Sequence, residues 1–373
     1  MIESLVKPGI RQIPPYIPGD TAESARRHTA QEILKLASNE NQLGASPKAL
    51  EAMRAAVPFA HVYPDPFCAG LRAKIGRVFG FADPADHVTI STGASGAIAL
   101  LGEIFIGAGD EVIYCEPTFG AYAGAVRRNA GTPVVRPLTA AGAFDLDAMR
   151  AAVTDRTKMI FLCNPNNPTG GTVDPAALRA FVRGLPGHVV LAVDEAYIEF
   201  SDDPSASVVS EIAEGVNLVV LRTFSKLYGL AGMRIGYTLT NREIHSVLQR
   251  STGVFVAGRL ALAAADAALS DTDFAAESVR VVRAGRCFLT EALTEMGCRV
   301  YPSQANFLYV DTGYDPAALA AACKERGLII RGNFAHTRIT VGTPRQNGHA
   351  VEILRDVMAS GVVPRAGTAP QAG

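Results

Sequence analysis

The chain has 373 residues, 48% of them hydrophobic and 19% charged, a composition that allows a large buried core and excludes a disordered or fibrous protein. Its formal net charge is -1 at pH 7 and neither sign forms a long run, which argues against a nucleic-acid surface or a basic membrane patch. Six cysteines are scattered without paired metal-ligand spacing, so we expect reduced thiols and no metal site.

The first part of the chain bears on the location of the protein and on the structure of its N-terminus. Residues 1–8 lack the apolar core of a secretory signal, and no apolar stretch of the chain is long enough to cross a bilayer. We therefore expect a cytoplasmic protein without membrane contact. Residues 14–19 are rich in proline and cannot form a regular helix, which predicts an extended N-terminal arm within residues 1–35.

Short apolar runs then alternate with helix-like stretches over residues 36–265. This pattern is typical of an α/β fold with a doubly wound, mostly parallel central sheet. The runs are residues 88–90, 111–114, 159–162, 189–191 and 218–221. Residues 266–373 differ, because a long helix-like stretch at 274–296 is followed by two further apolar runs. The sequence therefore predicts a large α/β domain and a smaller α+β C-terminal domain.

Four motifs directly follow apolar runs, at residues 92–95, 164–170, 194–197 and 223–226. The carboxyl ends of parallel strands meet at one edge of a sheet, where open sheets bind ligands, so we expect the motifs to converge. The glycine-rich turn at 92–96 also begins a helix, whose free N–H groups attract an anion. Taken alone, however, both this turn and residues 164–170 are equally well explained as simple turns.

Lys226 lies among small and apolar residues, and Arg234 follows in the same segment. Such surroundings favour the neutral amine, which attacks carbonyl groups and forms imines. Most lysines in loops are merely solvated, so a second feature matters: Asp194 places a carboxylate at the end of a strand. An imine-forming lysine, an acidic partner for a ring nitrogen and a phosphate site together indicate pyridoxal 5'-phosphate.

The chain resembles the fold-type I aminotransferases that depend on pyridoxal phosphate, and most closely the histidinol-phosphate aminotransferase family. The segments that carry the resemblance are 14–19, 35–41, 63–65, 164–170, 194–197, 225–234 and 338–342. They span nearly the whole chain. The resemblance implies the fold of that family, pyridoxal 5'-phosphate as cofactor, and a homodimer with shared active sites, in which the N-terminal arm reaches across to the partner.

The resemblance also implies a role for each matched residue. Lys226 is the expected catalytic residue, which holds the cofactor as a Schiff base and carries a proton at the substrate's Cα, and Asp194 is expected to pair with the ring nitrogen. The other implied cofactor contacts are Ala94, Ser95, Ser225, Arg234 and, from the neighbouring subunit, Tyr63 at the phosphate, Asn167 and Tyr197 at the ring oxygen, and Phe119 on the ring face. The implied substrate contacts are Tyr16, Asn39, Arg331 and Arg338.

The reaction implied by the resemblance is a ping-pong transamination in histidine biosynthesis, which converts histidinol phosphate and 2-oxoglutarate into imidazole-acetol phosphate and glutamate. Two guanidinium groups, those of Arg331 and Arg338, suit a phosphate dianion better than a monocarboxylate. Two segments depart from the family pattern: the loop 332–337 is shorter than in many relatives, and residues 253–259 lack the usual asparagine. An aromatic amino-acid aminotransferase is therefore the close alternative. Arg259 is either a third anion contact or an outward-facing charge.

More distant alternatives also fit parts of the pattern. A decarboxylase of a phosphorylated amino acid shares the scaffold, and so does the ligand-sensing domain of a transcription regulator, which needs a DNA-binding segment that the sequence does not indicate. A dinucleotide-binding oxidoreductase fits the α/β alternation, yet no G-x-G-x-x-G motif follows an apolar run.

Overall fold

The computed structural model describes residues 2–6, 8–11, 33–213 and 215–366. The arm predicted around residues 14–19, and Tyr16 with it, lies outside the described residues. Within these ranges no helix combines the length and apolar character that a membrane crossing requires. No group of three or more histidine, cysteine, aspartate or glutamate side chains in the same ranges is placed to hold a metal ion.

The secondary structure alternates between strands and helices along most of the chain. The strands of the described residues are β1 (Leu34–Lys35), β2 (Val88–Ser91), β3 (Glu111–Glu116), β4 (Thr132–Pro137), β5 (Thr157–Cys163), β6 (Val190–Asp194), β7 (Leu218–Thr223), β8 (Gly236–Thr240), β9 (Arg299–Val300), β10 (Phe307–Asp311), β11 (Leu328–Ile329) and β12 (Thr337–Thr340). The α-helices of the described residues are α1 (Pro8–Arg11), α2 (Pro47–Ala56), α3 (Ala69–Val78), α4 (Gly93–Phe105), α5 (Ala121–Arg128), α6 (Leu146–Ala151), α7 (Pro175–Arg183), α8 (Arg242–Ser251), α9 (Arg259–Ala268), α10 (Thr272–Glu295), α11 (Pro316–Glu325) and α12 (Pro344–Ala359).

The main sheet has seven strands in the order β2-β8-β7-β6-β5-β3-β4. Strand β8 runs antiparallel to both of its neighbours, and all other pairs are parallel. Every residue of β2, β6, β7 and β8 is buried, as expected for a sheet that is covered on both faces. The predicted α/β fold with a mostly parallel central sheet is confirmed.

The strand register brings the predicted motifs to one edge of this sheet. Cys163, at the end of β5, pairs with Asp194 at the end of β6. Asp194 pairs in turn with Leu221 of β7, close to the point where that strand ends. The loops that follow these three parallel strands therefore begin side by side, and they carry the motifs at 164–170, 194–197 and 223–226.

A second, smaller layer of structure follows the main sheet. Strands β12, β10 and β9 form an antiparallel sheet in that order, while β1 pairs with β11 in a separate parallel pair. Helix α10 occupies the predicted helical stretch at 274–296 with bounds Thr272–Glu295. The apolar core of the main sheet extends to Ala268, and a second core includes residues between Leu289 and Val363. A division of the chain at residues 265 and 266 stays a prediction.

A third, small apolar cluster connects these two cores. It contains Tyr197 and Leu227 from the loops of the main sheet, and Val282 and Phe307 from α10 and β10. The motif-bearing edge of the main sheet thus faces the smaller sheet, and the candidate site lies where the two meet.

Candidate active site

Lys226 follows β7 in the loop where the two sheets meet. Its Nζ donates a hydrogen bond to the carbonyl oxygen of Ser38 over 3.2 Å and lies 5.6 Å from the centre of the Tyr197 ring. Burial among these side chains, and after it the positive charge of Arg338, lowers the pKa of Lys226 from 10.5 to about 8. Because the ammonium is destabilised, the neutral, nucleophilic amine is accessible near neutral pH, as the sequence predicts.

Asp194 is the last residue of strand β6, and its buried carboxylate accepts two hydrogen bonds. Its Oδ2 accepts from the hydroxyl of Tyr122 over 2.9 Å, and its Oδ1 accepts from the N–H of Ala196 over 3.1 Å. Burial raises the pKa of Asp194 from 3.8 to about 6, and the two hydrogen bonds oppose that rise. A carboxylate oxygen can accept two hydrogen bonds, so each Asp194 oxygen can accept one more from a ligand.

Asn39 connects the smaller sheet to the loop after β6. Its backbone is left-handed, with φ of 55°, and its side-chain Nδ2 donates to the Tyr197 hydroxyl over 3.1 Å. Thr340 of β12 accepts from the N–H of Asn39 over 3.0 Å and donates to its Oδ1 over 3.1 Å. A short polar side chain of this kind tolerates the left-handed region, and here it fixes Tyr197 against β12.

Arg338 projects from β12 into the same space. It donates to the side-chain oxygen of Asn167 over 2.5 Å and to the carbonyl oxygen of Ala37 over 2.6 Å. The rings of Phe307 and Phe334 lie 5.4 Å and 5.6 Å from the guanidinium carbon. These rings keep water from the guanidinium, which is 6% exposed, and an anion bound there is therefore only weakly screened.

Phe119 lies in the loop after β3 and contacts Tyr122, which donates to Asp194. Its ring lies at 89° to that of Tyr122, with ring centres 5.9 Å apart. The preceding residue, Thr118, donates to Asn166 over 2.8 Å, and Asn166 donates back to the carbonyl oxygen of Pro117 over 3.1 Å. The loop that carries Phe119 is thereby attached to the loop that carries Asn167.

An anion cradle forms where helix α4 begins. Gly93 has φ of +74°, and the guanidinium of Arg234 approaches it so closely that a Cβ atom there would lie 3.0 Å from Nη2. Arg234, itself left-handed with φ of 52°, donates to the carbonyl oxygens of Ala231 over 3.1 Å and of Thr92 over 3.5 Å. The positive end of the helix dipole and a guanidinium thus face the same point.

Three more predicted cofactor residues offer donors, two at the start of α4 and one in the loop after β7. Ala94 and Ser95 lie in the first turn of α4, where backbone N–H groups have no partner inside the helix. The side chain of the N-cap residue Thr92 accepts no hydrogen bond from these N–H groups. The hydroxyl of Ser225 accepts from the Thr223 hydroxyl over 3.0 Å, so the Ser225 hydroxyl hydrogen is available to an acceptor. This combination of donors suits a phosphate group.

Arg331 and Arg338 lie opposite each other at the end of the smaller sheet. Each donates its backbone N–H to the other's carbonyl oxygen, over 3.0 Å and 2.9 Å. Directly opposed residues of an antiparallel pair extend their side chains on the same face. The guanidinium of Arg331 is half-buried and has no hydrogen-bond or ion-pair partner in the described ranges.

Tyr63 does not join the cluster around Lys226 within one chain. Its side chain is 78% exposed and stacks on Phe255, with ring centres 4.6 Å apart. Arg259 donates to the carbonyl oxygens of Val62 over 3.2 Å and of Tyr63 over 2.7 Å. Arg259 therefore anchors the backbone of the Tyr63 segment, and its role as an anion contact stays a prediction.

Two features of the site were missed by sequence reasoning. The first is Tyr122, whose spacing in an amphipathic helix is that of an ordinary core residue. The second is the buried ion pair between Arg222 and Glu195, the residue that follows Asp194, with the two side chains 2.7 Å apart. The Ser207 hydroxyl and the Val208 N–H complete the coordination of Glu195 over 2.9 Å and 2.8 Å. Glu195 follows Asp194 directly in the sequence and could have indicated this ion pair, since a buried carboxylate requires a partner.

Comparison with known proteins agrees with this geometry. The family model described as aminotransferase class I and II matches residues 31–354. Histidinol-phosphate aminotransferase of Symbiobacterium thermophilum is 37% identical over 364 residues, which cover 96% of this chain and all of the relative. Histidinol-phosphate aminotransferase 2 of Pseudomonas fluorescens is 38% identical over 371 residues, 95% of this chain and 98% of the relative.

Solved structures give the same result. The histidinol-phosphate aminotransferase of Sinorhizobium meliloti, crystallised with pyridoxal-5'-phosphate, superposes with a TM-score of 0.87 at 27% identity, covering 96% of this chain and 98% of that one. The fold is thus that of the type I enzymes that use this cofactor. The chain belongs to the class I and II aminotransferase family, and within it to the histidinol-phosphate aminotransferases. It is a pyridoxal-phosphate-dependent aminotransferase.

Proposed function

We propose that this enzyme transfers the amino group of histidinol phosphate to 2-oxoglutarate, yielding imidazole-acetol phosphate and glutamate in histidine biosynthesis. Relatives that bear the name histidinol-phosphate aminotransferase match at 36% to 38% identity over nearly the whole chain, which supports this substrate. The exchange of amino group follows a ping-pong order, in which the donor leaves as a keto product before the acceptor enters.

The observation that carries the proposal is the pairing of Arg331 with Arg338. Their reciprocal backbone hydrogen bonds direct both side chains to one face of the ladder. Two guanidinium groups on one face offer several N–H donors and two positive charges, which suits a phosphate dianion. A substrate with a single carboxylate, such as phenylalanine, needs only one of them.

The remaining residues fit the cofactor of the family. When bound, the cofactor supplies a sink for the electrons released as the substrate's Cα–H bond breaks. Lys226 is proposed to hold it covalently and, once released, to accept the proton from Cα, a role that its pKa of about 8 favours. Asp194 is proposed to hold the ring nitrogen, because it is a buried carboxylate with room for another hydrogen bond.

The other cofactor contacts are proposed from the same geometry. The phosphate is held by the first turn of α4 with Ala94 and Ser95, by Ser225 and by Arg234, which together provide N–H groups, hydroxyls and a positive charge. Asn167 and Tyr197 are proposed at the ring oxygen and Phe119 at the ring face. Asn39 acts beside them, because it holds the Tyr197 hydroxyl.

A homodimer is the proposed assembly, with Tyr63 reaching the phosphate of the partner's site. Support comes from the exposed apolar side chains that accompany Tyr63 on the surface. These are Phe59 at 56%, Phe67 at 55% and Val254 at 60% exposure. Large apolar side chains exposed near one another in the sequence favour cover by a second copy of the chain. A cytoplasmic location stays a prediction.

A substrate panel tests the reaction. Purified enzyme is assayed with histidinol phosphate, phenylalanine and tyrosine as donors and 2-oxoglutarate as acceptor, and glutamate formation is measured. We expect the highest kcat/KM for histidinol phosphate. In the Arg331→Ala variant this value should fall by about 10- to 100-fold, the effect of losing charged hydrogen bonds, while the value for phenylalanine changes little. Comparable turnover of phenylalanine with negligible turnover of histidinol phosphate would establish the aromatic aminotransferase instead.

A further inference from the structure

Tyr122 is a buried side chain that contacts two parts of the site. Its hydroxyl donates to Oδ2 of Asp194 over 2.9 Å, and both side chains are almost completely shielded from water. Its ring stacks on Phe161 of β5, with ring centres 4.9 Å apart and planes within 11° of parallel. The same ring is nearly perpendicular to that of Phe119, with ring centres 5.9 Å apart. Because the ring is held by Phe161 and Phe119, the direction of the hydroxyl is largely set by packing.

We propose that Tyr122 is a positioning residue, which orients the Asp194 carboxylate and keeps it ionised for the ring nitrogen of the cofactor. The inference rests on the proposed role of Asp194. A hydrogen bond from a neutral hydroxyl stabilises the charged form of a buried carboxylate, which has no water to perform that task. Occupation of Oδ2 by Tyr122 and of Oδ1 by the Ala196 N–H also fixes the carboxylate plane.

Several other ionisable groups face Asp194, and their effects differ in sign. Glu195 raises the pKa of Asp194 by charge repulsion, and Lys226 lowers it. Cys163 and Tyr197 are both buried beside it as neutral groups, and burial holds the pKa of each above its ordinary value. Tyr122 and the Ala196 N–H provide the hydrogen bonds that oppose protonation. Loss of the Tyr122 hydroxyl therefore raises the pKa of Asp194 further above its ordinary range.

The experiment measures cofactor affinity rather than catalysis. Full-length wild type and Tyr122→Phe are stripped of cofactor and titrated between pH 6 and pH 8.5 with pyridoxal phosphate. A parallel titration uses the carbocyclic analogue in which C–H replaces the ring nitrogen. The matched control is Tyr114→Phe, since Tyr114 is also a buried residue and its hydroxyl makes no hydrogen bond in the described ranges. Thermal melting of each apo protein reports any loss of folding.

We expect Tyr122→Phe to bind pyridoxal phosphate about threefold more weakly near pH 6.5, since a rise of about one unit in the pKa of Asp194, from about 6, lowers its ionised fraction there by about that factor. The deficit should shrink toward pH 8.5, where Asp194 ionises in either protein, and the carbocyclic analogue should bind both proteins alike. Tyr114→Phe should match wild type with both ligands.

Three other outcomes overturn the proposal in distinguishable ways. Equal weakening of both ligands at every pH assigns Tyr122 a purely structural role. Unchanged affinity of both ligands in Tyr122→Phe removes Tyr122 from the site while the proposed function stands. If wild type itself binds the two ligands with the same affinity and the same pH dependence, Asp194 does not pair with the ring nitrogen, and the proposed function fails at that residue.

Discussion

Arg338 donates to the side-chain oxygen of Asn167 over 2.5 Å, and this hydrogen bond connects the smaller sheet with the loop that follows β5. Asn167 is proposed to contact the cofactor, whereas Arg338 is proposed to bind the acidic end of the substrate. With these proposed roles, the Arg338 guanidinium lies between the acid group of the substrate and the residue that holds the cofactor. We therefore expect substrate binding at Arg338 to be coupled to the cofactor's ring oxygen through this hydrogen bond.

Replacement of Arg338 by alanine should raise the KM for acidic donors and acceptors by about 10- to 100-fold, because charged hydrogen bonds worth about 1.5–3 kcal/mol are lost. The visible absorbance of the bound cofactor should persist. Steady-state kinetics and an absorbance spectrum measure both. Arg54→Ala, at an exposed position on α2, is the control and should resemble wild type. Loss of the cofactor band in Arg338→Ala would instead assign Arg338 to cofactor binding.

The pKa of Lys226 predicts how the apoenzyme captures its cofactor. Only the neutral amine attacks the aldehyde, and the pKa of Lys226 is lowered to about 8. The capture rate, followed by stopped-flow absorbance, should therefore rise with pH, with a midpoint near pH 8, and level off above it. In Arg338→Ala the midpoint should move to higher pH, because a positive charge that lowers the pKa is gone. A rate that rises only near pH 10.5, the ordinary value for lysine, would refute the lowered pKa.

Much of this arrangement is predictable from the sequence. The apolar runs at 159–162 and 218–221 lie within strands β5 and β7. Because parallel strands end at one edge of a sheet, the sequence also predicts that the loops with Asp194 and Lys226 begin near each other. Their residue types, a carboxylate and an amine, indicate a pyridoxal phosphate site. Contacts that depend on side-chain packing were not predictable. Tyr122 reaches Asp194 across a helix–sheet interface, and Asn39 reaches Thr340 from the far end of the chain. Neither contact is visible in the sequence. Hydrophobic periodicity predicts which positions are buried, but it does not show whether the polar atom of a buried tyrosine or asparagine has a hydrogen-bond partner.

Gly93 allows a direct test of the anion cradle. Alanine there is strained by φ of +74°, and its Cβ would lie 3.0 Å from Nη2 of Arg234. Gly93→Ala should destabilise the protein by about 1–2 kcal/mol and displace the Arg234 guanidinium. Binding of pyridoxal phosphate should weaken, while binding of pyridoxal without its phosphate should not. Urea unfolding and ligand titration measure the two effects.

The control for this substitution is Gly348→Ala in α12, where an added Cβ has no atom within 4 Å. Alanine is the better helix former, so this variant should be at least as stable as wild type and should bind the cofactor normally. Equal weakening of pyridoxal and pyridoxal phosphate in Gly93→Ala would show that the substitution damages the site generally and that the α4 cradle does not select the phosphate.

Mixed dimers test whether Tyr63 acts in the partner's site. Lys226→Ala and Tyr63→Ala chains should each form impaired homodimers. In a hybrid of the two, one site combines an intact Lys226 from one chain with an intact Tyr63 from the other, so activity should reappear on mixing after subunit exchange. A mixture of Lys226→Ala with Arg338→Ala is the matched control, because those side chains meet within one chain and the hybrid has no site with both intact. Mass spectrometry verifies that hybrids have formed. If activity is restored in neither mixture although hybrids are present, Tyr63 does not act in the partner's site. Restored activity in both mixtures would mean that Lys226 and Arg338 also come from different chains.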